Sequence, residues 1–312
     1  MNTDKARFTG IIPPLATPLD ADGRLDRMAL ETMLARVVSG GVSGVFILGT
    51  TGEGPHLDSE LRSELVRTAC AICPPHVPVL VGLCDPSAGN SERLAAEAAE
   101  CGAAALVLTP PFYFPLSQEE LLGYLDRLVP RLPLPVFLYN IPSLTGIEFQ
   151  PETVKRAAAN LPIAGLKDSS GNMAYFSAVR RAVPHPFRLF CGPEEQLLEA
   201  TLAGGDGGVC GGANLFPRLY VDLYQAATAG RIDEARNLQA LVHRISAAIY
   251  SCTGEATAYL RGLKCAMSVM GLCQEVFAEP LAPLPPAARA NITAFLDRFE
   301  LGAPSETAAG IT

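Results

Sequence analysis

Apolar and polar positions alternate along the chain in a two-part rhythm. Short apolar runs of strand length fall at 10–15, 44–48, 77–81, 104–108, 135–139, 163–166, 187–190 and 207–210. Between and after them lie longer amphipathic stretches at 26–38, 58–72, 91–101, 117–128, 151–160, 173–183, 194–203 and 217–227, joined by short turns rich in Gly and Pro. A continuous apolar run bounded by turn residues reads as a strand buried on both faces, and the longer stretches read as helices with one apolar stripe. Strands alternating with helices predict right-handed βαβ units and a parallel sheet. Eight such units predict a closed (β/α)8 TIM barrel over residues 1–228. The competing architecture, an open doubly wound sheet, favours a GxGxxG turn after its first strand, whereas the first run here leads into ATPLDADG at 16–23. Beyond Ala229 the strand signal stops. Segments 232–250, 257–269 and 287–299 read as helices, so a C-terminal helical extension is expected over 229–302, followed by a small, polar and mobile tail at 303–312.

Composition narrows the picture. Of 312 residues, 49% are apolar and 18% charged, enough for one large core and in keeping with a single barrel. The net charge of -8, without Trp and without a basic stripe, argues against a nucleic-acid partner. No apolar run approaches the ~18 residues of a membrane span. The opening MNTDKARFTG has no apolar signal segment. The nine cysteines, an odd number, suggest reduced thiols, and together these features predict a cytoplasmic protein away from membranes. Cys70 and Cys73 form a lone CxxC with only His76 nearby, which reads as two small apolar residues near a helix end. The four histidines show neither HxH nor HExxH spacing, so no metal ligand set is expected.

Candidate chemistry lies where such barrels keep it, at the C-terminal ends of the strands and in the loops that follow. Those ends read GTTGEG (49–54), TPPFYFP (109–115), YNIPSLTG (139–146), KDSSG (167–171) and CGGAN (210–214). Tyr139 and Lys167 are one βα unit apart and should occupy equivalent places on neighbouring strands, ~5 Å from each other. Thr50 and Thr51, with the amides of their glycine-flanked turn, suit a carboxylate or a phosphate. Gly207, Gly208, Gly211 and Gly212 leave room for a ligand to approach the backbone. Singly, each residue also has an ordinary role: a lysine reaching for solvent, a strand aromatic, helix-capping threonines, and Glu53 as a first-turn acceptor. Jointly they answer one chemical need. A neutral amine attacks a ketone to give an imine, and the protonated imine draws electrons from an adjacent C–C or C–O bond. An ordinary lysine, with pKa ~10.4, is almost wholly protonated at neutral pH, so such a site calls for burial of the amine. A neighbouring phenol can carry the protons.

GTTGE, YNIPSLTG and GLKDSSG, in this order and spacing, resemble the dihydrodipicolinate synthase / N-acetylneuraminate lyase family of class I pyruvate aldolases. The resemblance spans the barrel and reaches into the C-terminal helices. It implies a lyase that is usually a homotetramer, a dimer of dimers, acting on a small 2-oxo acid without metal or organic cofactor. It further implies that Lys167 is the Schiff-base lysine and Tyr139 the proton shuttle. Thr50 and Thr51 would bind the 2-oxo acid carboxylate, Thr51 would join the hydroxyl relay, and Val209 would lie beside the imine.

Departures from the family pattern bear on the substrate. Dihydrodipicolinate synthases resemble YNxPSRTG, with an arginine for a substrate carboxylate, and here that place is Leu144. The synthases share a relay tyrosine across subunits; here Phe112 falls at that place with Tyr113 one position later, so either the relay is incomplete or Tyr113 substitutes as the relay from a neighbouring subunit. Leu144 is similar to the sialic acid lyases and the 2-keto-3-deoxy sugar acid aldolases. In CGPEE, at 191–195, Gly192, Glu194 and Glu195 fall near the lyase segment that binds sugar hydroxyls, although a helix N-terminus also favours acidic residues. Gly211 replaces a lyase hydroxyl residue, which disfavours sialic acid. The reading is a Schiff-base aldolase for reversible cleavage or condensation of a 2-oxo acid, pyruvate plus an aldehyde. The alternatives are 4-hydroxy-tetrahydrodipicolinate synthase, a dehydratase or deaminase of a related 2-oxo acid, and a non-catalytic sensor.

Overall fold

Eight parallel strands run in the order β1-β8-β7-β6-β5-β4-β3-β2. They are β1 (Gly10–Ile11), β2 (Val45–Ile47), β3 (Val79–Leu83), β4 (Ala105–Leu108), β5 (Val136–Asn140), β6 (Ile163–Asp168), β7 (Arg188–Cys191) and β8 (Gly207–Gly208). The computed structural model describes residues 8–301, and the tail expected at 303–312 lies outside them. Beyond the named strands, a parallel bridge between Pro14 and Phe46 joins the first strand's extension to β2 and closes the ring. There Leu15 N donates to Phe46 O at 2.8 Å and Phe46 N to Pro13 O at 3.0 Å. β1 is shorter than its apolar run because Pro13 and Pro14 have no N–H to donate to a ladder. At the β1–β8 seam the backbones meet so closely that a Cβ on Gly207 would stand 1.9 Å from Gly10 O.

The strands alternate with α1 (Arg27–Ser39), α2 (Ser59–Ile72), α3 (Ala88–Glu100), α4 (Gln118–Leu128), a single turn α5 (Pro142–Thr145), α6 (Pro151–Asn160), α7 (Met173–Ala182), α8 (Leu197–Leu202) and α9 (Pro217–Thr228). Their starts follow the local chemistry. Asp26 and Asp58 accept from Ala29 N and Leu61 N, and Ser117 with Glu120 forms a capping box. The run 194–203 divides into a 3-10 turn, Glu194–Gln196, and α8. α10 (Ile232–Ile245), α11 (Ala258–Val269) and α12 (Pro286–Leu301) follow, and a π turn, Ser246–Tyr250, extends α10.

Two cores result from the period of two along each strand. Val136 and Leu138 face the helices, while Phe137 and Tyr139 face the barrel interior with Phe46, Val107, Phe190 and Val209. On β6 Leu166 faces the helices. The next residue, Lys167, therefore points inward, and the strand runs on through Lys167 and Asp168 past the end of its apolar run.

Candidate active site

The tips of β5 and β6 are held in register, with Tyr139 opposite Lys167 and Asn140 opposite Asp168. Asn140 Nδ2 donates to Asp168 Oδ1 at 2.9 Å, and the amide of Phe149 donates to Asn140 Oδ1 at 3.0 Å. Asp168 also accepts from the amide and the hydroxyl of Ser170, each at 3.0 Å. Burial pushes the Asp168 carboxyl above its ordinary pKa despite these donors. This clasp fixes Lys167 beside Tyr139. The lysine is 6% exposed, its Nζ is 3.7 Å from the centroid of the Tyr139 ring, and Phe46 lies beyond at 5.4 Å. Among the described residues the ammonium forms no ion pair.

The turn after β2 completes the mouth. Leu48 and Glu53 both hold positive φ, 59° and 56°, backbone strain of a kind that collects at binding sites. Thr50 Oγ1 is 3.1 Å from the Tyr139 hydroxyl, and Thr51 Oγ1 is 2.9 Å from the Tyr259 hydroxyl. Glu53 turns away from the mouth. Its carboxylate accepts from Lys264 Nζ at 2.5 Å and from Ala278 N at 2.8 Å, and neither side chain of this ion pair is exposed.

A cavity of about 430 Å³ opens above Lys167, lined by Thr50, Thr51, Tyr139, Lys167, Leu144, Val209, Gly192, Glu194 and Glu195. Tyr250 and Tyr259 close it from the C-terminal helical region. Two other grooves, of about 490 and 880 Å³, lie elsewhere and do not include the lysine. Glu194 is a buried part of the cavity wall. Gly212 N donates to its Oε2 at 2.8 Å, while the hydroxyls of Tyr250, at 2.8 Å, and Tyr220 donate to Oε1. Burial raises its pKa to about 7, and the three donors oppose that rise without cancelling it.

The geometry is that of a buried amine, a phenol and a hydroxyl converging on one cavity at the C-terminal end of a closed barrel. Residues 7–298 match the family model described as the dihydrodipicolinate synthetase family. The chain belongs to this family. It is a carbon–carbon lyase of the aldolase type, as the motifs imply. Among its relatives is the probable 2-dehydro-3-deoxy-D-pentonate aldolase YjhH of Escherichia coli, 34% identical over 88% of this chain and 91% of that one. The 4-hydroxy-tetrahydrodipicolinate synthase of Gluconobacter oxydans is 30% identical over 96% and 99%. Two solved structures superpose closely. The dihydrodipicolinate synthase of Bacteroides thetaiotaomicron has a TM-score of 0.90 and 43% identity over 96% of this chain and 100% of that one. E. coli YagE in complex with pyruvate has a TM-score of 0.89 and 31% identity over 94% and 99%.

Of the residues singled out in the sequence, Lys167, Tyr139, Thr50, Thr51, Val209, Leu144, Gly192 and Glu194 share the cavity. Two are placed differently from expectation, Thr51 and Gly211. Thr51 does not meet Tyr139; consecutive turn residues diverge, so Thr50 supplies that hydroxyl and Thr51 turns to Tyr259. Gly211 lies behind the wall, where a Cβ would stand 2.0 Å from the Tyr259 hydroxyl oxygen. Tyr113, expected to serve a neighbouring subunit, is 87% exposed at φ 94° and lies edge-on to Phe114, outside this chain's own cavity. Glu194 reaches the cavity, with Gly212 on its Oε2 and Tyr220 and Tyr250 on its Oε1.

Tyr250, Tyr259 and Lys264 were not legible as site residues. Lys264 carried a signal nonetheless, a single cation inside the apolar run LKCAM at 263–267, where burial demands a carboxylate partner. Among the described residues no group of three or more His, Cys, Asp or Glu could hold a metal ion, and no helix is long and apolar enough to cross a membrane. Burial pushes the Cys70 thiol to about 12 and Cys73 to about 11, which suits packing rather than thiolate chemistry.

Proposed function

We propose that the protein cleaves or forms 2-oxo acids by an imine on Lys167, with pyruvate as the shared carbon unit and an aldehyde as the second partner. The observation that carries this reading is the buried Lys167 amine beside Tyr139, whose hydroxyl meets Thr50. In the cleavage direction the amine of Lys167 adds to the C2 carbonyl, and the carbinolamine loses water to leave a protonated imine. Loss of the C4 hydroxyl proton releases the aldehyde as the C3–C4 electron pair moves into the imine. The enamine then takes a proton at C3, and hydrolysis returns pyruvate and the lysine. Tyr139 has the position to move protons in the addition and cleavage steps, and Thr50 can accept from or donate to its hydroxyl. The substrate carboxylate fits the turn at Thr50 and Thr51, and Val209 lies along the same cavity. The chemistry needs no metal or organic cofactor.

Leu144 favours a 2-keto-3-deoxy sugar acid over the condensation with aspartate semialdehyde. It is 63% exposed at the cavity rim and offers a second carboxylate neither charge nor hydrogen bond. The relatives named as 2-dehydro-3-deoxy-D-pentonate and 2-dehydro-3-deoxy-D-gluconate aldolases support the same choice. A cytoplasmic homotetramer belongs to this reading, with the exposed Tyr113 and Phe114 as a contact between copies. A screen that couples pyruvate release to a 2-keto-3-deoxy acid panel tests the reading. Cleavage of a C5 or C6 sugar acid is expected. Pyruvate consumption only with aspartate semialdehyde would establish the synthase instead, and turnover of a 2-oxo acid without pyruvate release would establish a dehydratase or deaminase.

A further inference from the structure

Tyr259 lies outside the three sequence motifs, yet its hydroxyl reaches the cavity from α11, 92 residues beyond Lys167 in the chain. Among the described residues that hydroxyl has one hydrogen-bond partner, Thr51 Oγ1 at 2.9 Å. Either hydroxyl could be the donor in this bond, and the surrounding groups favour Tyr259. Tyr250 lies edge-on to Tyr259, with ring centroids 4.8 Å apart, and gives its own proton to Glu194. Tyr220 does likewise. With Glu194 taken by these two phenols, Thr51 Oγ1 is the acceptor among the described residues to which the Tyr259 proton can turn. Desolvation raises the Tyr259 pKa, so the phenol stays a donor throughout the working pH range. Space for it is made by Gly211, where a Cβ would collide with the hydroxyl at 2.0 Å.

We propose that Tyr259 is a positioning residue for the 2-oxo acid carboxylate: its phenol donates to Thr51 Oγ1 and turns the Thr51 proton toward the bound carboxylate. The inference rests on the imine reading, because it assigns Thr51 to the carboxylate of an imine on Lys167. A hydroxyl that is already accepting one bond has its own hydrogen aimed by that bond, and a donor aimed at an ionised oxygen is stronger than one that must first reorient. The C-terminal helices thus contribute to recognition of the acid group through Tyr259, as well as covering the barrel.

The test is borohydride trapping with two ketones, pyruvate and the neutral hydroxyacetone, on the wild-type protein, Tyr259→Phe, Thr51→Val and the double variant. Tyr259→Phe is expected to raise the half-saturating pyruvate concentration about tenfold, the size of one hydrogen bond to an ionised group. Hydroxyacetone, which has no carboxylate, is expected to move less than about twofold in every variant by the same principle. The double variant should be no worse than Thr51→Val alone, since the two residues act as one unit. Gly211→Ala, which displaces the hydroxyl without removing it, should reproduce the Tyr259→Phe pattern. Equal losses for both ketones, no change for either, or additive losses in the double variant would overturn the proposal. Failure of the wild-type protein to trap either ketone is a distinct result; it would overturn the imine reading and the proposal with it.

Discussion

Replacing Lys264 by Met tests the internal support of the site. Lys264 and Glu53 are both fully buried, with Nζ 2.5 Å from Oε1. Removing one partner leaves a carboxylate in a dry interior with the Ala278 amide as its remaining donor among the described residues. Breaking such a pair costs about 3–5 kcal/mol, a large share of the ~5–15 kcal/mol that holds a typical protein folded. At roughly 2 °C per kcal/mol for a chain of this size, Lys264→Met should lower Tm by about 6–10 °C. Adding Glu53→Gln removes the stranded charge while its amide oxygen can still accept from Ala278 N. The double variant should therefore recover most of the loss. Differential scanning calorimetry of the parent, both single variants and the pair completes a double-mutant cycle. Because Glu53 anchors the turn that carries Thr50 and Thr51, Lys264→Met should also raise KM for the 2-oxo acid. A Tm loss below about 2 °C in the single variant, under ~1 kcal/mol, would refute the picture of a dry, mutually neutralising pair.

Three further outcomes follow from the geometry. Tyr139→Phe deletes the hydroxyl that meets Thr50 and should lower the rate by ~10²-fold or more while adduct formation on Lys167 persists; a near-normal rate would demote it as a proton carrier. Glu194 binds its proton more tightly folded, at about 7, than at its ordinary 4.5. Its contribution is therefore full below about pH 4.5 and is lost as pH rises through about 7, at most ~3 kcal/mol. Glu194→Gln should flatten that slope in urea unfolding at pH 5 and 8, and parallel profiles for variant and parent would contradict the assignment. Leu144→Arg places a guanidinium at the exposed rim and should raise condensation with aspartate semialdehyde; an unchanged rate would remove Leu144 from the specificity argument.

Much of this site was readable before folding because it depends on local period and strand position. One βα unit between Tyr139 and Lys167 sufficed to predict neighbours, and their ladder register bears that out. The same rule could not resolve which way adjacent side chains point in a tight turn. The relay hydroxyl was therefore assigned to Thr51 where Thr50 meets Tyr139, in a turn whose flanking Leu48 and Glu53 hold positive φ. Tyr259 was invisible for a different reason. Its approach to Thr51 crosses 208 positions of sequence and depends on how α11 packs over the barrel mouth, which no strand or helix period encodes. Gly211 illustrates the cost of reading a residue alone: the gap read as a missing hydroxyl is filled by the Tyr259 hydroxyl from another helix.

The central claim is a covalent imine on Lys167, and borohydride reduction in the presence of pyruvate followed by peptide mass mapping tests it most directly. One reduced pyruvyl adduct per chain is expected, on the peptide containing Lys167, and none in Lys167→Ala. An adduct on another lysine, or none with any 2-oxo acid, would contradict it.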